Sequence, residues 1–507
     1  AAPVPTSGPV PAASANTNAN AAAANANAGR ARGGFRSPWL GAVVFVVTAL
    51  GMIGTENRLA IVWDEGYTLG RESRVRWWFQ ALADPSGFAR QWRPPTRELV
   101  QSDRQAPTPP RADQIDTRAK LFNREVLAWF WPFAREEPHG HPPFYALVGL
   151  VGDLIAPQWQ PLPRARLGPM LLFSAAAAGL AVALSRRWGI AAGLTAALAW
   201  GLQPHLFAHG HYATYDAILT ALWVLAILAF DRACRDLEGA WLATPRWGGV
   251  VLFGILLGCA ADTKFTGWFL PLPFLVWCLI YRARAGWLTL GVGGLVGLAV
   301  LLALNPAFWA DPLDAIARFL RSNLTRGRTI PIPVLYLGQI YKTPVDSLPW
   351  SNTLVWTLFV TPVGFLALGV VGMFRAIARS RGSHQRVCDP LGLLVVGHWA
   401  FLMLLRALPR TPGHDGVRLF LPAFGLLAML AGLAVARPLD AADEPSRSDP
   451  IWFRRARWLG LLAAAEAAVG LALVMPTPLS YFSPAVGGTS GAQRLGMEPT
   501  FAWDALS

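Results

Sequence analysis

Long apolar blocks alternate with short polar segments along most of the chain. Eleven of these blocks are 15 to 23 residues long, about the length that a helix needs to cross a bilayer. The pattern therefore predicts an all-α polytopic membrane protein with about eleven transmembrane helices. The blocks are residues 38–54, 167–184, 189–207, 212–230, 247–261, 266–281, 287–304, 352–374, 391–408, 419–436 and 458–475.

A twelfth apolar segment, residues 142–157, does not fit this pattern. It is short, is bounded by prolines and contains Asp153, which favours an interfacial or re-entrant helix over a span. If it were a span, every later loop would change sides and most arginines would lie outside the cell. We therefore assign it to the first outer loop.

Arginines are concentrated in alternate loops. With the N-terminus in the cytoplasm, the inner loops contain clusters of arginine, whereas the short outer turns contain only Lys264, Arg410 and Arg418. This asymmetry follows the positive-inside rule and predicts a multi-pass protein of the inner cell membrane. The predicted outer, or periplasmic, segments are residues 55–166, 305–351 and 476–507.

Composition and charge agree with a membrane protein. Of the 507 residues, 53% are hydrophobic and 15% are charged, whereas a soluble protein has roughly a quarter charged residues. The net charge of +14 comes from arginines in short loops, where they set topology and contact anionic lipid. Nucleic acid is therefore not an expected partner. The four cysteines show no metal-type spacing, and a disulfide framework is not expected.

The two ends of the chain differ from the apolar middle. Residues 1–37 are rich in Ala, Asn and Pro, a composition that predicts disorder. They lack the pattern of a signal peptide, so the first apolar block is expected to remain as an anchor. Residues 38–475 are expected to form one transmembrane domain, and 476–507 an outer tail that looks like the start of a further outer segment.

An acidic pair follows the first predicted span. Asp64 and Glu65 stand side by side in "IVWDEGYTLGRES", where the chain returns to water. The alternative to a functional pair is a solvated pair of carboxylates in a loop. If the segment is helical, the two side chains point about 100° apart, and we then give Glu65 only a supporting role.

Two further outer motifs contain ionisable residues. In "HGHPPFYAL", residues 139–147, His141 precedes two prolines; the alternative is a loop that turns into an interfacial helix. In "AHGHYATYDAILTALW", Asp216 lies about one turn into a span, where an ionisable residue is costly and indicates function. The alternative for Asp216 is an acid that caps a helix N-terminus.

Two cations complete the set. Lys264 in "ADTKFTGWFLP" and Arg418 in "PGHDGVRLFLP" lie at outer ends of spans, where each could also be a snorkelling cation. Three acids and two cations from separate segments of the chain are thus predicted to fall on one side of the membrane. An acid could deprotonate a nucleophile and the cations could bind an anion, which is the chemistry needed for transfer from a phosphate-bearing lipid.

These motifs recur in one order in a known family. The Asp-Glu pair after the first span, the His-Pro-Pro helix start, "HYATYDAILTALW", "TKFTG" and "RLFLP" resemble the GT-C membrane glycosyltransferases. Within them the chain is most similar to the protein O-mannosyltransferase and aminoarabinose-transferase branch and its bacterial relatives. The resemblance covers roughly residues 38–485.

The resemblance implies a GT-C type helical bundle and an inverting sugar transfer from a polyprenyl-phosphate donor at the outer face. It assigns the catalytic base to Asp64 and the acid of the second outer loop to Asp216. The large soluble insert of the mannosyltransferases is missing from this sequence, so the acceptor could be a protein, a lipid or a glycan.

The remaining site residues are assigned to substrate binding. Lys264 and Arg418 are expected to bind the donor phosphate, Arg418 with two parallel hydrogen bonds. His141, His211 and Tyr212, which belong to the quoted motifs, are expected to line the substrate site. A lipid monophosphate is already a good leaving group, so we expect no cofactor and no metal.

Three other interpretations remain open from the sequence. A transporter or flippase also places acids and arginines at membrane depth, although here the charges lie at span ends. A metal-dependent oligosaccharide transferase would use Asp64 or Glu65 together with Asp216 as ligands of a hard divalent ion. A non-catalytic protein that binds sugar lipids would keep the cations but would not need the base.

Overall fold

A computed structural model describes most of the predicted transmembrane domain. The described residues are 38–95, 108–131, 141–234, 244–281, 284–329, 333–342, 346–378, 389–409, 411, 416–436, 451–498 and 505–506. The predicted tail 1–37, the residues 139–140 of the His-Pro-Pro motif and Arg410 lie outside them. The described part is mostly helical, as the apolar pattern predicted.

The helices follow one another with short connections. In chain order they are α1 (Pro38–Thr55), α2 (Trp63–Ala83), α3 (Pro85–Gln91), α4 (Arg118–Leu121), α5 (Arg124–Phe130), α6 (Phe144–Gly149), α7 (Val151–Ile155), α8 (Pro161–Trp188), α9 (Ile190–Leu202), α10 (Pro204–His211), α11 (Tyr215–Cys234), α12 (Trp247–Ala261), α13 (Pro271–Tyr281), α14 (Arg284–Leu304), α15 (Pro312–Thr329), α16 (Asn352–Val360), α17 (Val363–Ala378), α18 (Pro390–Ala407), α19 (Pro422–Ala434), α20 (Ile451–Val474) and α21 (Gly488–Arg494).

Strands are few and short among the described residues. β2 (Pro333–Tyr336) and β3 (Gln339–Lys342) form an antiparallel hairpin in the second outer loop. β1 (Ile61–Val62) pairs antiparallel with β4 (Ala505–Leu506). The end of the chain therefore returns to the segment that directly precedes Asp64.

Each predicted span coincides with at least one helix. Six helices of the described part are long and apolar enough to cross a membrane, and the remaining predicted spans match shorter apolar helices. The count of eleven spans stays a prediction. The six long helices are Trp39–Arg58, Pro161–Trp188, Tyr215–Cys234, Arg284–Leu304, Pro390–Ala407 and Arg457–Val474.

Prolines divide four of the predicted spans, which the apolar pattern alone did not show. New helices begin at Pro204, Pro271 and Pro422, and the chain between α16 and α17 contains Pro362. Proline has no backbone N–H to donate and disfavours helical backbone in the residue before it. The blocks 189–207, 266–281, 352–374 and 419–436 are therefore interrupted rather than continuous helices.

The first outer loop folds into helices α2 to α7, and its tryptophans pack inside it. The side chains of Trp78, Trp92 and Trp129 are at most 7% exposed, and Trp77 stacks on Trp129 with ring centroids 6.0 Å apart. These rings therefore bury one another against α5.

Helix α11 lies at the centre of the bundle. In its most apolar stretch of 18 residues, 83% of the residues are buried. The helix packs against α8, α12 and α19. A helix that is apolar on all sides must be surrounded by other elements. Its N-terminal turn, which contains Asp216, therefore reaches the outer ends of several neighbouring helices.

Segments that were predicted to share a side of the membrane contact one another. Arg187, at the inner end of α8, bonds Asp389 at the inner end of α18 with an N–O distance of 2.9 Å. On the opposite side, Lys264 bonds Asp216 at 2.5 Å. The ends of the helices thus form two separate layers, and the absolute orientation of these layers in a membrane stays a prediction.

Candidate active site

Asp64 lies in the first turn of α2. The sequence favours a helix start here, because Glu65 accepts a hydrogen bond from the backbone N–H of Val62 at 3.0 Å and acids stabilise the N-terminal turn. The carboxylate of Asp64 accepts a hydrogen bond from the Tyr215 hydroxyl at 2.9 Å. It also forms an ion pair with Arg418.

Asp216 lies in the first turn of α11 and binds both cations. Its Oδ1 is 2.5 Å from Lys264 Nζ, and its Oδ2 is 3.4 Å from Arg418 Nε. Arg418 therefore bridges the two acids. The side chain of Asp216 is 2% exposed, whereas that of Asp64 is 24% exposed, so Asp64 is the acid that an incoming substrate can reach.

Tyr215 completes this arrangement. Its hydroxyl is 2.9 Å from Arg418 Nη2, and its ring lies beneath both cations, 5.0 Å from Lys264 Nζ and 5.8 Å from Arg418 Cζ. Such distances allow cation–π attraction. We call Asp64, Tyr215, Asp216, Lys264 and Arg418 the charged cluster; its two acids and two cations sum to a formal charge of zero.

A cavity of about 430 Å³, including its open mouth, lies over the charged cluster. Two outward-facing aromatic side chains flank Asp64: Trp63 is 47% exposed and Tyr67 is 40% exposed, with ring centroids 6.2 Å apart. Exposed rings beside the cavity suit the apolar faces of a sugar. The cavity is lined by Val62, Asp64, His205, His209, Tyr212, Thr214, Asp216, Val417, Arg418 and Leu479.

Glu65 turns away from the cavity. It is fully buried and forms two parallel hydrogen bonds with Arg166, Nε to Oε1 and Nη2 to Oε2, both 2.7 Å. Its Oε1 also accepts a hydrogen bond from the Ala213 N–H at 2.9 Å. The ion pair fixes the start of α2 to α8, and the hydrogen bond from Ala213 fixes it to the segment before α11. Together they hold Asp64 beside Tyr215.

The other predicted substrate residues are dispersed. Tyr212 lines the cavity, and the ring of His141 lies 3.8 Å from that of Tyr215, centroid to centroid. His211 is fully buried, with ring nitrogens 2.8 Å from the Phe207 carbonyl and 3.0 Å from the Met52 carbonyl. His211 therefore joins α10 to α1 and does not reach the cavity.

Three functional residues were missed from the sequence. Tyr215 directly precedes Asp216 in the quoted motif, so its position could have been noticed. His209 alternates with His211 in "HGHY", and only the cavity shows which of the two faces it. Arg166 lies just before a predicted span and gave no signal, because its partners Glu56 and Glu65 are about a hundred residues away along the chain.

The side-chain oxygens of the site determine whether a divalent metal ion could bind here. Asp64 and Asp216 supply hard oxygen ligands close enough to share Arg418. Within the described residues no three Asp, Glu, His or Cys side chains converge on one point. A divalent ion would therefore need the substrate or water for most of its ligands.

A second buried carboxylate lies on α2, two turns beyond the cavity. Glu72 is fully buried and is 3.0 Å from Arg76; Arg76 in turn is 2.5 Å from Asp153 on α7. Burial raises the pKa of Glu72 to about 7, although Arg76 opposes the shift. This carboxylate thus exchanges a proton near neutral pH, and its partner Arg76 links α2 to the helices that follow the His-Pro-Pro motif.

Comparison with known proteins gives a family match for part of the chain. Residues 141–309 match the family described as dolichyl-phosphate-mannose-protein mannosyltransferase. The matched segment includes Tyr215, Asp216 and Lys264 of the charged cluster. No protein of curated function matches the whole sequence at a significant level.

Solved structures share the fold at low sequence identity. ArnT from Cupriavidus metallidurans in the apo state is 17% identical and has a TM-score of 0.51; the match covers 90% of this chain and 77% of that one. The archaeal oligosaccharyltransferase AglB from Archaeoglobus fulgidus, in complex with an inhibitory peptide and a dolichol-phosphate, is 14% identical and has a TM-score of 0.52. That match covers 86% of this chain and 55% of AglB. These matches confirm the helical fold, and the resemblance to the mannosyltransferase family is confirmed for residues 141–309.

Proposed function

We propose that this chain, which has a GT-C type fold and a mannosyltransferase-like segment, transfers a sugar from a polyprenyl-phosphate donor to an acceptor at the outer face of the inner membrane. The observation that carries the proposal is the charged cluster, which joins an accessible carboxylate to two cations at the mouth of a cavity. The dolichol-phosphate present in the AglB structure supports a lipid phosphate as the donor class. The acceptor stays open.

Asp64 would be the general base. The acceptor hydroxyl or amine gives its proton to a carboxylate oxygen of Asp64 while its heteroatom attacks the anomeric carbon. The bond between that carbon and the phosphate oxygen breaks, and the phosphate leaves with the electron pair. A single displacement of this kind inverts the anomeric carbon. A positioned base contributes roughly 10²- to 10⁴-fold to such a step.

Binding of the donor would free the base. In the structure Arg418 pairs with Asp64 and also contacts Asp216. A phosphate oxygen competes for the same guanidinium, since charge-assisted hydrogen bonds to phosphate are strong. When Arg418 turns to the phosphate, Asp64 keeps its hydrogen bond from Tyr215 but loses its cation, and can then accept the acceptor's proton.

Asp216 would hold the two cations in place. It is almost fully buried and contacts both Lys264 and Arg418, so it is poorly placed to meet an acceptor. Its negative charge keeps two like charges close together beside the cavity. Lys264 and Arg418 would then bind the donor phosphate, as the sequence predicted.

A metal-dependent oligosaccharide transferase is the second candidate. The observation in its favour is that Asp64 and Asp216 lie on either side of one guanidinium, a position that a divalent cation could occupy instead. Transfer that requires Mg²⁺ or Mn²⁺ would favour this candidate and would make Asp216 a ligand.

The direct test is a transfer assay with the purified full chain in lipid nanodiscs. Radiolabelled polyprenyl-phosphate sugars are supplied one at a time with an extract of the outer cell envelope as acceptor. We expect the label of one donor to enter a polar product, and to remain on the lipid with the Asp64→Asn variant. Uptake of a sugar lipid into vesicles without any glycosyl product would instead identify a transporter and refute the proposal.

A further inference from the structure

Arg406 is a buried arginine that the mechanism above does not use. It lies in the last turn of α18 and is 5% exposed. Its Nε has no hydrogen-bond partner, and no carboxylate of the described chain lies within ion-pair distance of it. A charge that is buried without a partner destabilises a protein by several kcal/mol, so an unpaired one calls for an explanation.

Packing between helices places Arg406 at the depth of the charged cluster. Trp223 of α11 donates a hydrogen bond to His398 of α18 at 3.1 Å, and the two helices run in opposite directions. Arg406 is eight residues beyond His398 and Asp216 is seven residues before Trp223, which corresponds to about 12 Å and 10 Å along the two helix axes. Both side chains therefore lie in the same outer layer.

A second neighbour leads to the same placement. The ring of Phe274 in α13 lies 4.4 Å from that of His398, and Trp277 donates a hydrogen bond to the Pro390 carbonyl at 3.0 Å. Helix α13 is therefore also antiparallel to α18, and its outer end leads to Lys264. At the outer end of α18, Leu404 and the C-cap residue Leu408 are more than half exposed, so Arg406 lies on the opposite, inward face.

The cavity has cations, but their charge is already balanced. Lys264 and Arg418 are paired with Asp216 and Asp64, and the charged cluster has no net charge. A polyprenyl-phosphate sugar carries one negative charge on its phosphodiester, and the polyprenyl phosphate that leaves carries close to two. A further positive charge at this depth would therefore stabilise the leaving group more than the donor.

We propose that Arg406 is an anion-binding residue of this site and takes the phosphate of the polyprenyl-phosphate donor and product. The inference rests on the proposed function and deepens it, because it names the residue that supplies the unbalanced positive charge. Binding of the phosphate gives the buried guanidinium a partner that the described residues do not provide. Arginine suits this task, since its planar fork can bond two phosphate oxygens at once.

Binding can be measured without turnover. The purified full chain in detergent is titrated calorimetrically with farnesyl phosphate, a short polyprenyl phosphate, and in parallel with inorganic phosphate and with short-chain phosphatidylglycerol. We expect Arg406→Met to bind farnesyl phosphate about 10- to 100-fold more weakly than the wild type, the range expected for loss of charge-assisted hydrogen bonds. Arg406→Lys keeps the charge without the fork and should fall between the two.

Stability separates this role from a structural one. Replacing an unpaired buried charge with an apolar side chain of similar length should leave the melting temperature unchanged or raise it. The matched control is Arg375→Met, because Arg375 donates hydrogen bonds to the carbonyls of Ala434 and Ala436 in the inner layer. The control should lower the melting temperature and leave farnesyl phosphate affinity unchanged.

Several results would overturn the inference. The inference is wrong if Arg406→Met binds farnesyl phosphate as tightly as the wild type, or if that variant fails to fold. It is also wrong if the wild type does not bind farnesyl phosphate, or if replacing Arg406 weakens only the binding of phosphatidylglycerol. Because the titration contains no sugar and no acceptor, the inference survives if the chain binds farnesyl phosphate through Arg406 yet transfers no sugar. The proposed function survives if transfer is observed and Arg406→Met binds normally.

Discussion

Asp64 and Glu65 are adjacent in sequence, but the structure predicts opposite consequences when each loses its charge. Asp64 faces the cavity with its side chain 24% exposed, whereas Glu65 is fully buried against Arg166. Asp64→Asn keeps the shape of the side chain but cannot accept a proton at neutral pH. We expect it to lower transfer by at least about 10²-fold with little change in thermal stability.

Glu65→Gln should act on stability. The two carboxylate oxygens of Glu65 each accept two hydrogen bonds, one from Arg166 and one from a backbone N–H. In glutamine one oxygen becomes an NH₂ group, which faces two donors and can bond neither. Removing one partner of a buried ion pair costs about 3–5 kcal/mol, so the melting temperature should fall by about 5 °C or more. Activity per folded molecule should fall less than in Asp64→Asn.

The assay measures both quantities on the same preparations. The melting temperature is taken in detergent by intrinsic fluorescence, and transfer is measured below that temperature with the radiolabelled donor. Donor binding should persist in Asp64→Asn. A fully active Asp64→Asn enzyme would refute the assignment of the base. If Glu65→Gln kept its stability and lost as much activity as Asp64→Asn, the division of roles between the two acids would be wrong.

Four further predictions address the cations, the metal, the proton on α2 and the topology. Lys264→Gln and Arg418→Gln should each raise the KM for the donor more than the KM for the acceptor. The reason is that a hydrogen bond to a charged group contributes about 1.5–3 kcal/mol. An unchanged KM for the donor in steady-state kinetics would make both cations snorkelling residues. Transfer should survive a chelator, and loss of activity with rescue by added Mg²⁺ or Mn²⁺ would contradict this. Burial raises the pKa of Glu72 to about 7, so the folded state keeps a proton that the unfolded chain releases near pH 4.5. The free energy of unfolding therefore falls as pH rises from about 4.5 to 7. Glu72→Gln should raise the melting temperature more at pH 8 than at pH 5, and an equal change at both pH values would refute the buried proton. The topology can be tested with single cysteines in a cysteine-free variant. In intact cells a cysteine at Ser490 should react with an impermeant reagent, whereas one at Ser383, outside the described residues, should not. The reverse pattern would invert the predicted topology.

Much of the architecture followed from the sequence because membrane helices obey local rules. A bilayer demands long apolar blocks with internally bonded backbones, and arginine asymmetry shows which loops share a side. Both are properties of contiguous residues. The helical fold and the location of all four charged residues in one layer could be predicted in this way. The interruptions at Pro204, Pro271 and Pro362 were also visible in the sequence, but the block pattern did not take them into account.

The partners of the charged side chains were decided only by the tertiary structure. Arg418 lies 354 residues from Asp64 along the chain, and Glu65 lies 101 residues from Arg166; no local pattern relates such positions. Ion pairs depend on distances of a few ångströms, which are fixed when the outer ends of separate helices pack together. The same packing leaves the Nε of Arg406 without a hydrogen-bond partner among the described residues. Sequence therefore predicted that the charges of the cluster share one layer, and the packing of the helices determined which of these charges pair with one another.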